Sequence, residues 1–169
     1  MSHTAKQLAE HIIKSNKAME VLFQNNHHES ALILLFSWID RLAWLSVENE
    51  YSTGADFKLW LNKYLFIEAS TLPCNANDLW ASRCSLLHTG TSEARDVKNG
   101  NARYVYYYGG SIEMAAKDPD MKVYVNIGHL HVGLLEVSNR FLQYLEKNIC
   151  ELAITNKKLG KIMSRTTDI

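Results

Sequence analysis

Residues Glu29 to Val47, ESALILLFSWIDRLAWLSV, are apolar on nearly every side of a helix, and a helix that is hydrophobic all round has to be buried inside a larger body. This stretch therefore predicts the central helix of a bundle, with amphipathic helices laid around it. Asp40 and Arg41 interrupt the run, which argues against a membrane span. The N-terminus, Met-Ser-His-Thr-Ala-Lys-Gln, has neither the basic stretch nor the apolar core of a signal peptide. The reading is a cytoplasmic protein with no membrane partner.

The surrounding elements follow from periodicity. Leu8, Ile12, Ala18, Val21 and Leu22 recur at helical spacing and predict a first helix over about Thr4 to Gln24. Phe57, Trp60, Leu61, Tyr64 and Leu65 give a third helix from Asp56 to Phe66. A fourth begins at Asn77 or Asp78, both good caps, and Gly90 is placed to stop it. Thr91 to Asn101 lacks apolar rhythm and reads as an exposed loop. Arg103 to Tyr108 and Met121 to Ile127 are short and rich in aromatic and β-branched residues, which predicts two strands of an antiparallel β-hairpin with a long connection. Helical spacing resumes from Leu130 through Ile149, in a last helix ending near Ile154. The expected fold class is mainly α: about five helices in one domain, residues 1–155, with the hairpin (about 103–127) inserted before the last helix. Residues 156–169 read as a flexible basic tail.

At 169 residues one domain buries roughly 70% of its unfolded surface, so no disulfide framework is needed. Cys74, Cys84 and Cys150 are widely spaced, without a CxxC pair, which suits a reducing compartment and gives no zinc signature. Neither a metal nor any other cofactor is expected. Eighteen basic residues balance eighteen acidic ones, so any capture of nucleic acid rests on a local patch rather than on a global field.

The chemistry concentrates in Leu79-Trp80-Ala81-Ser82-Arg83-Cys84-Ser85-Leu86-Leu87-His88-Thr89-Gly90. Arg83 supplies a permanent charge and a fork of donors that suits phosphate, and His88 a group that exchanges protons near neutrality. Five residues apart, they are separated by about 140° of helix rotation and roughly 7.5 Å of rise. Convergence thus depends on the length of Arg83 and on the freedom of His88 at the helix end. The plainer alternative is an arginine paired with a carboxylate and a histidine capping the last carbonyls. Asp40, a charge in an apolar helix, either orients Arg83 or His88 or pairs with Arg41 at a helix rim. Ser85 and Thr89 are hydroxyl donors near enough to orient a phosphate, although such hydroxyls also bond to their own backbone. Cys84 and His88 share a helix face, and a cysteine there more often packs than reacts. His129 and His131 would sit side by side only on a strand. Tyr104, Tyr106 and Tyr108 share one strand face and could stack bases, although such a stripe more often packs on a helix. Arg95, Lys98, Arg103, Lys157, Lys158, Lys161 and Arg165 are candidates for a basic patch.

FSWIDRLAWL followed by LWASRCSLLHTG resembles the HEPN (higher eukaryotes and prokaryotes nucleotide-binding) superfamily, whose members carry an Arg-x4-6-His motif on a helical bundle. Arg83 and His88 occupy the motif positions. The resemblance covers about Glu29 to Gly90 and, by pattern, the last helix. It implies a homodimer that binds RNA or nucleotide and acts as a metal-independent endoribonuclease, in a toxin-antitoxin or defence system beside a nucleotidyltransferase-like antitoxin. Active members commonly carry Asn, Asp or His directly after the Arg, where this chain has Cys84, and that departure implies weak activity or none. The competing reading is a non-catalytic dimeric interaction module that binds a partner protein.

Overall fold

A computed structural model describes residues 2–67, 70–88, 90, 94–110 and 118–163. In chain order these form α1 (His3–Gln24), α2 (His28–Leu45), α3 (Gly54–Tyr64), α4 (Ala76–His88), α5 (Arg95–Lys98), β1 (Tyr104–Tyr108), β2 (Lys122–Asn126), α6 (Ile127–Lys147) and α7 (Ile149–Met163). The fold is mainly α, with seven helices among the described residues rather than five.

α2 is the central element, as its composition demands. Leu35, Phe36, Ile39, Leu42 and Ala43 are fully buried, and the helix packs against α1, α3, α4, α6 and α7. The outer helices are fixed at their ends by local chemistry. Ser2 caps α1 by accepting from the Ala5 N–H at 3.1 Å, and Thr53 and Asp56 form a reciprocal capping box on α3. None of the described helices is long and apolar enough to cross a membrane.

The two strands lie where expected, but they pair in parallel, Tyr104 opposite Lys122 through Tyr108 opposite Asn126. This corrects the antiparallel hairpin. Strand periodicity fixes which residues share a face but not the direction of the partner, and a parallel return needs a connection of about a dozen residues or more, which residues 109–121 supply. The parallel register sets Val105 beside Val123 and Tyr107 beside Val125, all packed on the helical core. Tyr106 and Tyr124 stack on the other face with ring centroids 5.5 Å apart. Asn126 then turns strand into helix: its side-chain oxygen accepts from the His129 N–H, and its amide nitrogen donates to the Gly110 carbonyl at 2.7 Å.

Two further departures have local causes. α5 falls within the stretch read as loop; its single turn buries Val97 against Ala81, Ala94 and Tyr104. The expected long last helix is broken at Asn148, which leaves helical geometry (φ −127°, ψ 90°) and bonds back to the Tyr144 and Leu145 carbonyls. Beyond it α7 continues through residues 156–163, which read as a fraying tail. Thr4 donates to Asn156 at 2.8 Å, Thr155 donates to the Leu45 carbonyl, and Leu159 is buried. The Lys158 ammonium donates to the carbonyls of Trp44, Val47 and Asn49, satisfying the open C-terminal end of α2. The rest of the expected tail, 164–169, lies outside the described residues.

Candidate functional site

α4 starts at Ala76, and the residue in the cap position is Asn75 rather than Asn77 or Asp78. The Asn75 side chain accepts from the N–H groups of Asn77 and Asp78, and the Asp78 carboxylate accepts from the Asn75 N–H, completing a reciprocal cap. Asp78 has no solvent exposure and also accepts from the backbone N–H, Nε and Nη2 of Arg103. This hub locks α4 to β1. At the other end Gly90 adopts φ +64° and its N–H returns to the Ser85 carbonyl at 2.9 Å, the left-handed stop that glycine permits without steric cost.

Between these anchors the two motif residues meet. Arg83 donates from Nε and Nη2 to one oxygen of Asp40, at 3.0 and 2.7 Å, and its Nη1 lies 3.2 Å from Nε2 of His88. A guanidinium only donates, so in this contact the facing histidine nitrogen accepts and the ring proton sits on Nδ1. Helix rotation had set the two residues on different stripes. The reach of Arg83 and the position of His88 as the last helical residue close the gap.

Asp40 therefore reaches across to Arg83, while Arg41 faces solvent. Burial pulls the Arg83 pKa down, but the hydrogen bonds and charge of Asp40 outweigh it and hold the guanidinium above its ordinary value. His88 is exposed beside it. Of the five guanidinium N–H donors, Asp40 takes two and His88 one, and the neighbouring Cys84 thiol also bonds to the guanidinium.

The remaining candidates fare differently. Burial lifts the Cys84 thiol above its usual pKa against the opposing pull of Arg83, so Cys84 stays protonated at neutral pH and is a poor nucleophile. The Ser85 hydroxyl, buried, donates back to the carbonyls of Ala81 and Ser82, the backbone-bonded alternative for such a hydroxyl. Thr89 lies outside the described residues. Arg103 is bound to Asp78 and Lys158 to the end of α2, so neither tracks a phosphate backbone; Arg165 lies outside the described residues. His129 is exposed and His131 buried against Asn16, with Nε2 and Oδ1 2.6 Å apart. Among the described residues no group of three His, Cys, Asp or Glu side chains is arranged to hold a metal ion.

Two residues the sequence reasoning missed complete the surroundings. A cleft of about 280 Å³ opens beside Arg83, bounded by Asp40, Arg41, Thr53 and the indoles of Trp44 and Trp80. The Arg83 guanidinium carbon lies 5.3 Å from the centre of the Trp80 ring, a cation–π distance. Spacing held a signal for both: Trp44 is four residues after Asp40 and Trp80 three before Arg83, each on the same helix face as its charged neighbour. No protein-family model matches the chain, and no curated protein or solved structure matches it significantly.

Proposed function

We propose that this chain is a HEPN-like, homodimeric RNA- or nucleotide-binding bundle that cleaves RNA without metal. The observation that carries the reading is the convergence of Asp40, Arg83 and His88 from two helices. RNA brings its own nucleophile, the 2′-OH, so the protein has to supply a base, an acid for the leaving 5′-oxygen and a cation for the charge that develops on phosphorus. A phosphate arriving at Nη1 and Nη2 of Arg83 displaces the imidazole and frees Nε2 of His88 to take the 2′-OH proton. The 2′-oxygen then bonds to phosphorus, the bond to the 5′-oxygen breaks, and a second protonated His88, across the two-fold axis of a dimer, donates to that oxygen. The product is a 2′,3′-cyclic phosphate. A toxin or defence ribonuclease held in check by a nucleotidyltransferase-like partner, acting in the cytoplasm, is the setting this chemistry suits.

The test is incubation of the purified protein with single-stranded RNA in EDTA, with the new ends identified by mass. Cyclic phosphate ends, together with a loss of rate of about two orders of magnitude or more in Arg83→Ala, are expected. Ends of another kind, or a requirement for metal, would overturn the reading. The non-catalytic interaction module is the second reading, favoured by the ion pair that already neutralises Arg83 and by the protonated Cys84. RNA or partner binding with no cleavage would select it.

A further inference from the structure

The cleft beside Arg83 has walls that phosphate chemistry alone does not require. Both indoles are half-buried and held from outside the cleft. The Trp44 Nε1–H donates to the Glu50 carbonyl at 2.7 Å, and the Lys158 ammonium lies 4.8 Å from its ring centre. Trp80 packs on the Phe57 ring, 5.3 Å away, and on Gly54, where an added Cβ would come within 2.5 Å of Trp80 Cζ2. Aromatic groups fixed in this way lose little freedom on binding. The charges on the rim, Asp40, Arg41 and Arg83, leave one net positive charge, which matches a single phosphodiester. A volume of about 280 Å³ falls below that of pockets for drug-sized ligands and suits one planar ring rather than a run of bases.

We propose that this cleft is a single-nucleotide subsite, in which one nucleobase lies against the Trp44 and Trp80 wall while its phosphate reaches Arg83 and Arg41. The inference rests on the RNA-handling reading above and names what that site recognises: the base next to the bound phosphate.

Tryptophan fluorescence is a selective probe, because Trp38 and Trp60 are buried in the core and the only other tryptophans are the two in the cleft. The full-length protein is titrated with adenosine 5′-monophosphate and, separately, with ribose 5-phosphate, which has the same phosphate but no base. Saturable quenching is expected with the nucleotide, at an affinity about tenfold or more above that of the sugar phosphate, as base–aromatic stacking implies. Trp44→Leu should remove that advantage, and Arg41→Ala, at an exposed position, should weaken both ligands alike. Equal affinity of wild type for the two ligands, or binding of neither, overturns the subsite whether or not Trp44→Leu folds. Cleavage of RNA by wild type without a nucleotide preference would overturn the subsite and leave the ribonuclease reading standing. A preference without cleavage would do the reverse.

Discussion

Asp40 and Asp78 each hold an arginine, yet they stand in different surroundings. Asp78 is fully enclosed and accepts four hydrogen bonds, three of them from Arg103. The Asp40 side chain is 27% exposed and, among the described residues, accepts two hydrogen bonds from Arg83. Breaking an enclosed pair typically costs about 3–5 kcal/mol, whereas a pair open to water is worth about 1 kcal/mol. Asp78→Ala should thus lower the melting temperature by roughly 10 °C and Asp40→Ala by about 2–4 °C. If Asp40→Ala nonetheless abolishes RNA cleavage, the role of Asp40 is to aim Arg83, and a thermal melt beside a cleavage assay separates the two effects. Equal destabilisation by both variants would contradict this division. Asp40 was legible in the sequence because a charge stood out in an apolar helix. The pairing of Asp78 with Arg103 was not, since 25 residues of chain separate them and no local pattern signals the contact.

Among the elements, those with a strong internal rhythm declared themselves. α2 is buried as its largely apolar composition demands, and α4 begins and ends within two residues of its punctuation. Strand direction was hidden because alternation looks the same in either sense. α7 was hidden because its anchors, Thr155, Asn156 and Lys158, are polar residues that find partners in other helices. The link between α1 and α6 gives a pH signature. His131, buried on Asn16 and the Phe23 ring, has its pKa lowered from 6.5 by burial, only partly opposed by Glu20. Its folded pKa lies below the unfolded value, so the unfolded chain takes up the proton first as the pH drops. The stability His131 contributes is present above about pH 6.5 and is lost as pH falls through the folded pKa. Melting temperatures measured between about pH 7 and 5 should fall, and His131→Gln, which keeps a donor for Asn16, should make the slope shallower. The slope should not vanish, because burial also lowers the pKa of His11. An unchanged slope would remove His131 from the account.

For the whole molecule, a single chain presents one Arg83 and one exposed His88, while in-line cleavage needs a base and an acid on opposite sides of phosphorus. The account therefore requires two chains with their α4 ends facing. Light scattering at micromolar concentration should give a two-fold dimer, the commonest closed assembly. Mixing His88→Ala with Arg83→Ala chains should yield less activity than wild type, since neither half-site is complete. A monomer that cleaves RNA at full rate would contradict the composite site. The neutral balance of charge adds a second mark: affinity for RNA should depend on salt only weakly, through the few phosphates that Arg83 and Arg41 neutralise.

The central claim is that His88 handles the proton while Arg83 holds the phosphate. Its most direct test is the rate of cleavage of one single-stranded RNA, in EDTA, by wild type and by His88→Ala purified side by side. The account expects slow cleavage by wild type, given Cys84, and none above background by the variant, with RNA binding retained. Equal cleavage by the two proteins would contradict it and assign the activity to something other than this site.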